Sequence, residues 1–183
     1  SRAERPQETF VLRRLRQTFR DMKTIKSLCE RAEQHANASG QTEPGAEHFI
    51  LAAFDLPDGT ARQAFCRANA DPAQFEAAIA RQYGLALHDL GMITSSGGAP
   101  AMVPVRVPAG VGPFRAKPAV KALMDALWQL RKADGAPLLG AHVVLAALSA
   151  TYGVTPRSLQ CMGLDPAQLA KSARDEIAAR AAA

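Results

Sequence analysis

Four histidines and three cysteines are the side chains of this 183-residue sequence best suited to hold a metal or carry a proton. A zinc hydrolase places two histidines four residues apart around a glutamate, so that three groups converge from one helix face. Here His35, His48, His88 and His142 are scattered, and Glu47-His48 is the one adjacent acid–imidazole pair. Neighbours on a helix point about 100° apart, which keeps that pair from sharing a metal. Cys29, Cys66 and Cys161 are odd in number and match no disulfide framework or zinc spacing. Each sits in an apolar helical stretch, and they are read as core residues in a reducing compartment. No GxSxG elbow occurs, and a Cys–His dyad could arise only through tertiary contact. The glycine-rich stretch 91–112 contains no lysine, so no GxxxxGK[S/T] phosphate loop is present and an ATPase is excluded in this chain. The residue types therefore predict no catalytic group, no metal and no cofactor.

Two of the histidines recur in one context. HFILAAF at 48–54 and HVVLAAL at 142–148 are followed by DPAQF at 71–75 and DPAQL at 165–169, each pair 94 residues apart. Between these landmarks the register holds: Gly59 matches Gly153, and the 28 positions from 48 to 75 share nine identities with 142–169. Chance gives about two, so the sequence carries one module twice. His48 and His142 are thus expected to be structural, each imidazole bonding a helix terminus or loop while its ring packs in the core.

The elements that would position them are helical. Apolar residues at Phe10, Val11, Leu15, Phe19, Met22, Ile25, Cys29, Ala32 and Ala36 recur in steps of mostly three or four and mark one face of an α-helix, predicting one long helix over about 8–38. A kink near 18–21 fits its unusual length. Gly40 should close it. A short buried helix over 47–54 stops at Leu56-Pro57-Asp58-Gly59, and a third over 60–68 closes at Asn69, whose counterpart is Gly163; both types accept the left-handed conformation. Asp71 and Asp165 suit N-caps, with Pro72 and Pro166 in the first helical position. The fourth helix of each module should reach Arg81 and Arg180. The second module repeats the order over 117–134, 141–150, 156–162 and 166–180, with Gly135 ending the first of these. Glycine- and proline-rich 91–113 reads as a linker, briefly extended at 103–107. The expected architecture is all-α: an N-terminal helical extension (1–18), one repeat (19–90), the linker and a second repeat (114–183).

A chain this long buries roughly 70% of its unfolded surface, enough for one core spanning both modules. Apolar runs such as Val143 to Leu148 reach six residues, far from the roughly 20 that cross a bilayer. A cytoplasmic location with no membrane partner is expected. The net charge is +5, concentrated as Arg13, Arg14, Arg16, Arg20, Lys23 and Lys26 on the first helix. A solvated helix face explains this cluster better than nucleic acid, since aromatic platforms and DNA- or RNA-binding motifs are missing.

Residues 19–79, with AxxxA at Ala32 and Ala36, Gly40, GAEH at 45–48, LAAF at 51–54, Gly59 and an Asp-led fourth helix, resemble one repeat of the Clp amino-terminal domain. Residues 114–177 resemble the second. The family pattern is close to IGTEHLLLALL; this chain has PGAEHFILAAF and LLGAHVVLAAL, the latter without the glutamate. The resemblance implies two tandem four-helix repeats related by a pseudo-two-fold axis. It also implies a non-catalytic module that receives proteins, peptides or adaptors for a Clp unfoldase, here a free-standing adaptor or regulator of Clp proteolysis. Some members bind phosphoarginine through a Thr after the Phe that begins each repeat and a Glu on the first helix. Those positions here are Phe19-Arg20 and Phe114-Arg115, with His35 and Gln129 in the approximate Glu places. The guanidinium of phosphoarginine would lose its carboxylate partner and meet another cation, Arg20 or Arg115, so phosphoarginine is not the expected ligand. The ligand would instead lie in an apolar groove where the repeats meet or on the first helices. Two alternatives stand beside this reading: a DNA-associated regulator gripping phosphates with residues 13–26, and a homodimer formed through the helix over 10–19.

Overall fold

Short apolar helices surrounded by long amphipathic ones dictate the architecture. The computed structural model describes the backbone of residues 6–89 and 118–182 and the side chains of 15–86 and 118–182. The linker 91–113 with its stretch 103–107, and Phe114 and Arg115, lie outside the described residues. Among the described residues the fold is all-α, with eight helices and no strand: α1 (Pro6–Ala38), α2 (Ala46–Phe54), α3 (Thr60–Arg67), α4 (Pro72–Asp89), α5 (Pro118–Asp134), α6 (Gly140–Leu148), α7 (Val154–Cys161) and α8 (Pro166–Ala181). None of them is long and apolar enough to cross a membrane.

A helix apolar on every side has to be enclosed. All nine residues of α2 are buried, as are the first eight of α6, and the two helices pack against each other at the centre. α1 lies on α2 and α5 on α6. The remaining helices cross over: α3 packs on α8 and α6, and α4 on α7. Phe54, Phe65 and Phe75 meet edge to face, with centroids 4.9, 5.5 and 6.2 Å apart. The residues 94 positions on are Leu148, Leu159 and Leu169.

Helix ends follow the sequence closely. Gly40, Asn69, Gly135 and Gly163 all have positive φ. Ala70 N–H reaches Phe65 O at 2.9 Å, and Leu164 N–H reaches Leu159 O at 3.0 Å, closing α3 and α7 with the same i−5 bond. Asp71 Oδ1 accepts from Ala73 N–H and Asp165 Oδ1 from Ala167 N–H, both at 2.9 Å. Pro72 and Pro166 open α4 and α8. Gly59 and Gly153 precede α3 and α7 with φ of 68° and 113°.

Several expectations are corrected. α1 runs unbroken through 18–21 for 33 residues, about 50 Å, whereas α2 with nine is about 14 Å long and covers only its C-terminal part. Among the described side chains of α1 the enclosed ones are Asp21, Leu28, Ala32 and Ala36, while Leu15, Phe19 and Met22 stand in solvent. α4 continues past Arg81 to Asp89, because Tyr83 is anchored on buried Glu47. α6 ends at Leu148, two residues early, where the Ser149 hydroxyl takes the Ala146 carbonyl at 2.6 Å. α7 begins at Val154, so Pro156 falls in the first turn, where its missing N–H breaks no helical bond. The cysteines are not all core residues: Cys29 is half-buried, and Cys66 and Cys161 are exposed. α3 buries Thr60, Ala61, Ala64 and Phe65, and Cys66 falls on its other side.

Candidate functional site

The histidines sit at matching places and hold matching bonds. His48 Nδ1 accepts from Gly45 N–H at 2.9 Å, and His142 Nδ1 accepts from Leu139 N–H at 3.1 Å, so each imidazole reaches back from the third helical position to the cap residue. Both rings are completely buried. On their far side, His48 Nε2 meets Ser39 Oγ at 3.0 Å, and His142 Nε2 lies 3.3 Å from Asp134 Oδ2 but off line for a hydrogen bond. Ser39 and Asp134 each stand immediately before a positive-φ glycine. Burial pushes the His142 pKa below its ordinary value, outweighing the opposite pull of the Asp134 carboxylate.

Ser39, His48 and Glu47 invite comparison with a nucleophile–base–acid relay, and the geometry argues against that chemistry for them. With Nδ1 accepting a backbone N–H, the proton of neutral His48 sits on Nε2 and points at Ser39 Oγ. The hydroxyl in turn donates to His35 O and Ala36 O, at 3.0 and 2.9 Å. An imidazole already donating to serine cannot take the serine's proton. Glu47 instead accepts from the Tyr83 hydroxyl, and the Tyr83 ring stacks on His48 at 6.1 Å. Burial, followed by this bond to Glu47, raises the Tyr83 pKa far above its ordinary value.

The start of α6 is capped by other parts of the molecule. Leu138 N–H donates to Asp21 Oδ1 at 3.0 Å, Gly140 N–H to the Asp58 carboxylate at 3.2 Å, and Ala141 N–H to Thr60 Oγ1 at 2.9 Å. Together with the His142 bond, four consecutive amides are satisfied by side chains. Asp58 also accepts from Thr60 N–H at 2.9 Å and from its hydroxyl. Gly140 fits closely here: a Cβ would lie 3.0 Å from Ala61 Cβ and 3.1 Å from Ala53 O, so those neighbours would have to give by a few tenths of an ångström. Buried Asp21 further binds Arg131 Nε at 2.6 Å, and the Arg131 guanidinium lies over the Trp128 ring at 5.9 Å. Sequence reasoning missed Asp21, Asp58 and Thr60. For Asp21 the signal was an acid standing where the apolar period of α1 predicts core.

Of the residues expected to bind a ligand, the four that are described do not gather in one place. Phe19 and Arg20 are exposed on α1 beside Asp21, and Gln129 is exposed on α5 beside Trp128. The Asp21–Arg131 bridge joins those two helices. His35 is 16 residues beyond Phe19 on the same helix, about 24 Å away, and its Nε2 is held by Asp55 Oδ2 at 2.8 Å. Arg31 and Arg62 approach the same carboxylate at 3.8 and 3.9 Å. Phe114 and Arg115 lie outside the described residues.

No family model and no curated protein matches the chain. The candidate surfaces consequently rest on this chain's own geometry. A cleft of about 240 Å³ is lined by Ala46, Ala119, Ala122, Leu123, Ala146 and Tyr152, among others. It has the volume for one or two side chains, not for a cofactor. Among the described residues no three His, Cys, Asp or Glu side chains are grouped to hold a metal. A second apolar surface is on α1, where Leu15, Phe19 and Met22 are 51%, 66% and 58% exposed.

Proposed function

We propose that the chain is a non-catalytic protein-binding module made of two tandem four-helix repeats about a pseudo-two-fold axis, similar to the Clp amino-terminal domain. It would act as an adaptor or regulator of Clp proteolysis. The observation that carries this reading is the recurrence of one device at the starts of α2 and α6. In each, a buried histidine takes the N–H three residues back and faces the residue ahead of a left-handed glycine. The matching closures of α3 and α7, and the matching aspartate caps of α4 and α8, support it further. Independent sequences have no reason to place this set of unrelated local solutions 94 or 95 residues apart.

Recognition would use surface apolar groups and charge without bond chemistry. The test is retention of a purified Clp unfoldase from the same organism on the immobilised chain. Saturable binding at micromolar concentration is expected, and its absence would remove the Clp assignment. Phosphoarginine should give no binding heat in calorimetry, since His35 is engaged by Asp55 and Arg20 stands where the family has a threonine.

A further inference from the structure

Three exposed apolar side chains on α1 are arranged for a partner. Leu15, Phe19 and Met22 follow one another by four and three residues, the spacing of a coiled-coil seam. At 100° per residue they fall within an arc of about 60° over two turns. That stripe lies between two unlike borders. On one side is the core face of α1, with Ile25 and Cys29 half-buried against the bundle. On the other, Arg16, Arg20 and Lys23 are exposed, and Lys26 closes the far end of the stripe. From residue 10 to 26 the sequence has six cations and one acid, and that acid is Asp21, enclosed and bonded to Arg131.

From this juxtaposition we propose that the Leu15–Phe19–Met22 stripe docks an amphipathic helix of a partner protein whose apolar seam is flanked by carboxylates. This rests on the reading of the chain as a protein-binding module and names the chemistry of its partner. Leucine-type side chains of the incoming helix cover the stripe, and its Glu or Asp residues meet Arg16, Arg20 and Lys23. A second copy of the chain is the wrong occupant: an antiparallel pair centred on Phe19 sets Arg16 of one copy against Lys23 of the other. Nucleic acid is also the wrong occupant, because phosphates on the cations leave three large apolar side chains in water.

The test uses the full chain and two labelled synthetic helical peptides with the same 4–3 leucine seam, one flanked by glutamates and one by lysines. The glutamate peptide should bind and the lysine peptide should not. Phe19→Asp should weaken binding at least tenfold with an unchanged circular dichroism spectrum, since Phe19 supports nothing in the core. The Arg16→Glu/Lys23→Glu variant should reverse the choice and take the lysine peptide. Equal binding of both peptides, or binding insensitive to Phe19→Asp, overturns the proposal. So does a dimer in sedimentation that Phe19→Asp dissociates, or duplex DNA that binds and leaves the glutamate peptide without a site. A Phe19→Asp chain that still retains the Clp unfoldase removes this surface and leaves the module reading intact. Loss of the unfoldase from the unaltered chain removes that reading alone.

Discussion

The starts of α2 and α6 share a histidine, its bond to the cap amide and a positive-φ glycine in the preceding loop, and differ in their other partners. At α2 the neighbours are supplied by adjoining segments of the first half: Glu47, Tyr83 and Ser39 surround His48. At α6 the position of Glu47 is Ala141 and that of Tyr83 is Ile177, and the caps come instead from Asp21, Asp58 and Thr60, more than 80 residues away. The cores differ in the same sense, with three edge-to-face phenylalanines in one half and three leucines in the other. The α2 start is completed by side chains of the first half, whereas the α6 start is closed by side chains borrowed from that same half. Conserving one imidazole thus leaves the rest of a helix start free to change its allegiance.

The contrast can be broken most readily in the cores. Phe65→Ala should cost about 4 kcal/mol and Leu159→Ala about 3, since both are enclosed but the aromatic ring also loses two ring contacts. Urea denaturation measures both, and a larger loss at Leu159 would reverse the ranking. Removing the borrowed caps comes next. Asp21→Ala strips Leu138 of its acceptor and leaves Arg131 without its partner, a loss of about 3 kcal/mol. Tyr83→Phe at the α2 start should cost about 1.5 kcal/mol. Equal losses would erase the distinction between the two starts.

Acid sharpens it further. Folded His142 binds its proton more weakly than the unfolded chain does, so its contribution is complete above the ordinary value of about 6.5 and declines as the pH falls below it. The slope for one such group is at most about 1.4 kcal/mol per pH unit. Urea midpoints taken from pH 7.5 to 5.5 should fall in the unaltered chain and flatten in His142→Gln; parallel curves would show that another group governs the loss. The smallest effect belongs to the features both halves keep. Asp71→Ala and Asp165→Ala should each cost about 1 kcal/mol and agree closely, and a clear inequality would mean that the two caps are not interchangeable.

Much of the fold was legible because it is local. Asn69 and Gly163, the Asp-Pro pairs and the apolar strings of α2 and α6 each specify their conformation within a few residues, and eight helices follow from them. The swapped packing of α3 on α8 and α4 on α7 was not, because periodicity shows which face is apolar and never which helix covers it. The same gap explains Leu15, Phe19 and Met22, whose spacing promises burial that a nine-residue α2 is too short to give. Thr60 looks like an ordinary surface residue until the amide 81 positions onward arrives, and Asp21, an acid on the core side of α1, shows no partner until Leu138 is brought to it from 117 positions away. Of the expected ligand-binding residues, spacing alone could not show that His35 faces Asp55, far along the helix from Phe19.

The crossing of α3 with α8 also sets an order of assembly. A growing chain leaves the ribosome with α3 made about 100 residues before α8, so the side of α3 that packs on α8 stays uncovered until residues 166–181 emerge. The first half can therefore collapse but not finish while synthesis continues. A polypeptide truncated before α8 would leave α3 and α6 without the helix that packs on both.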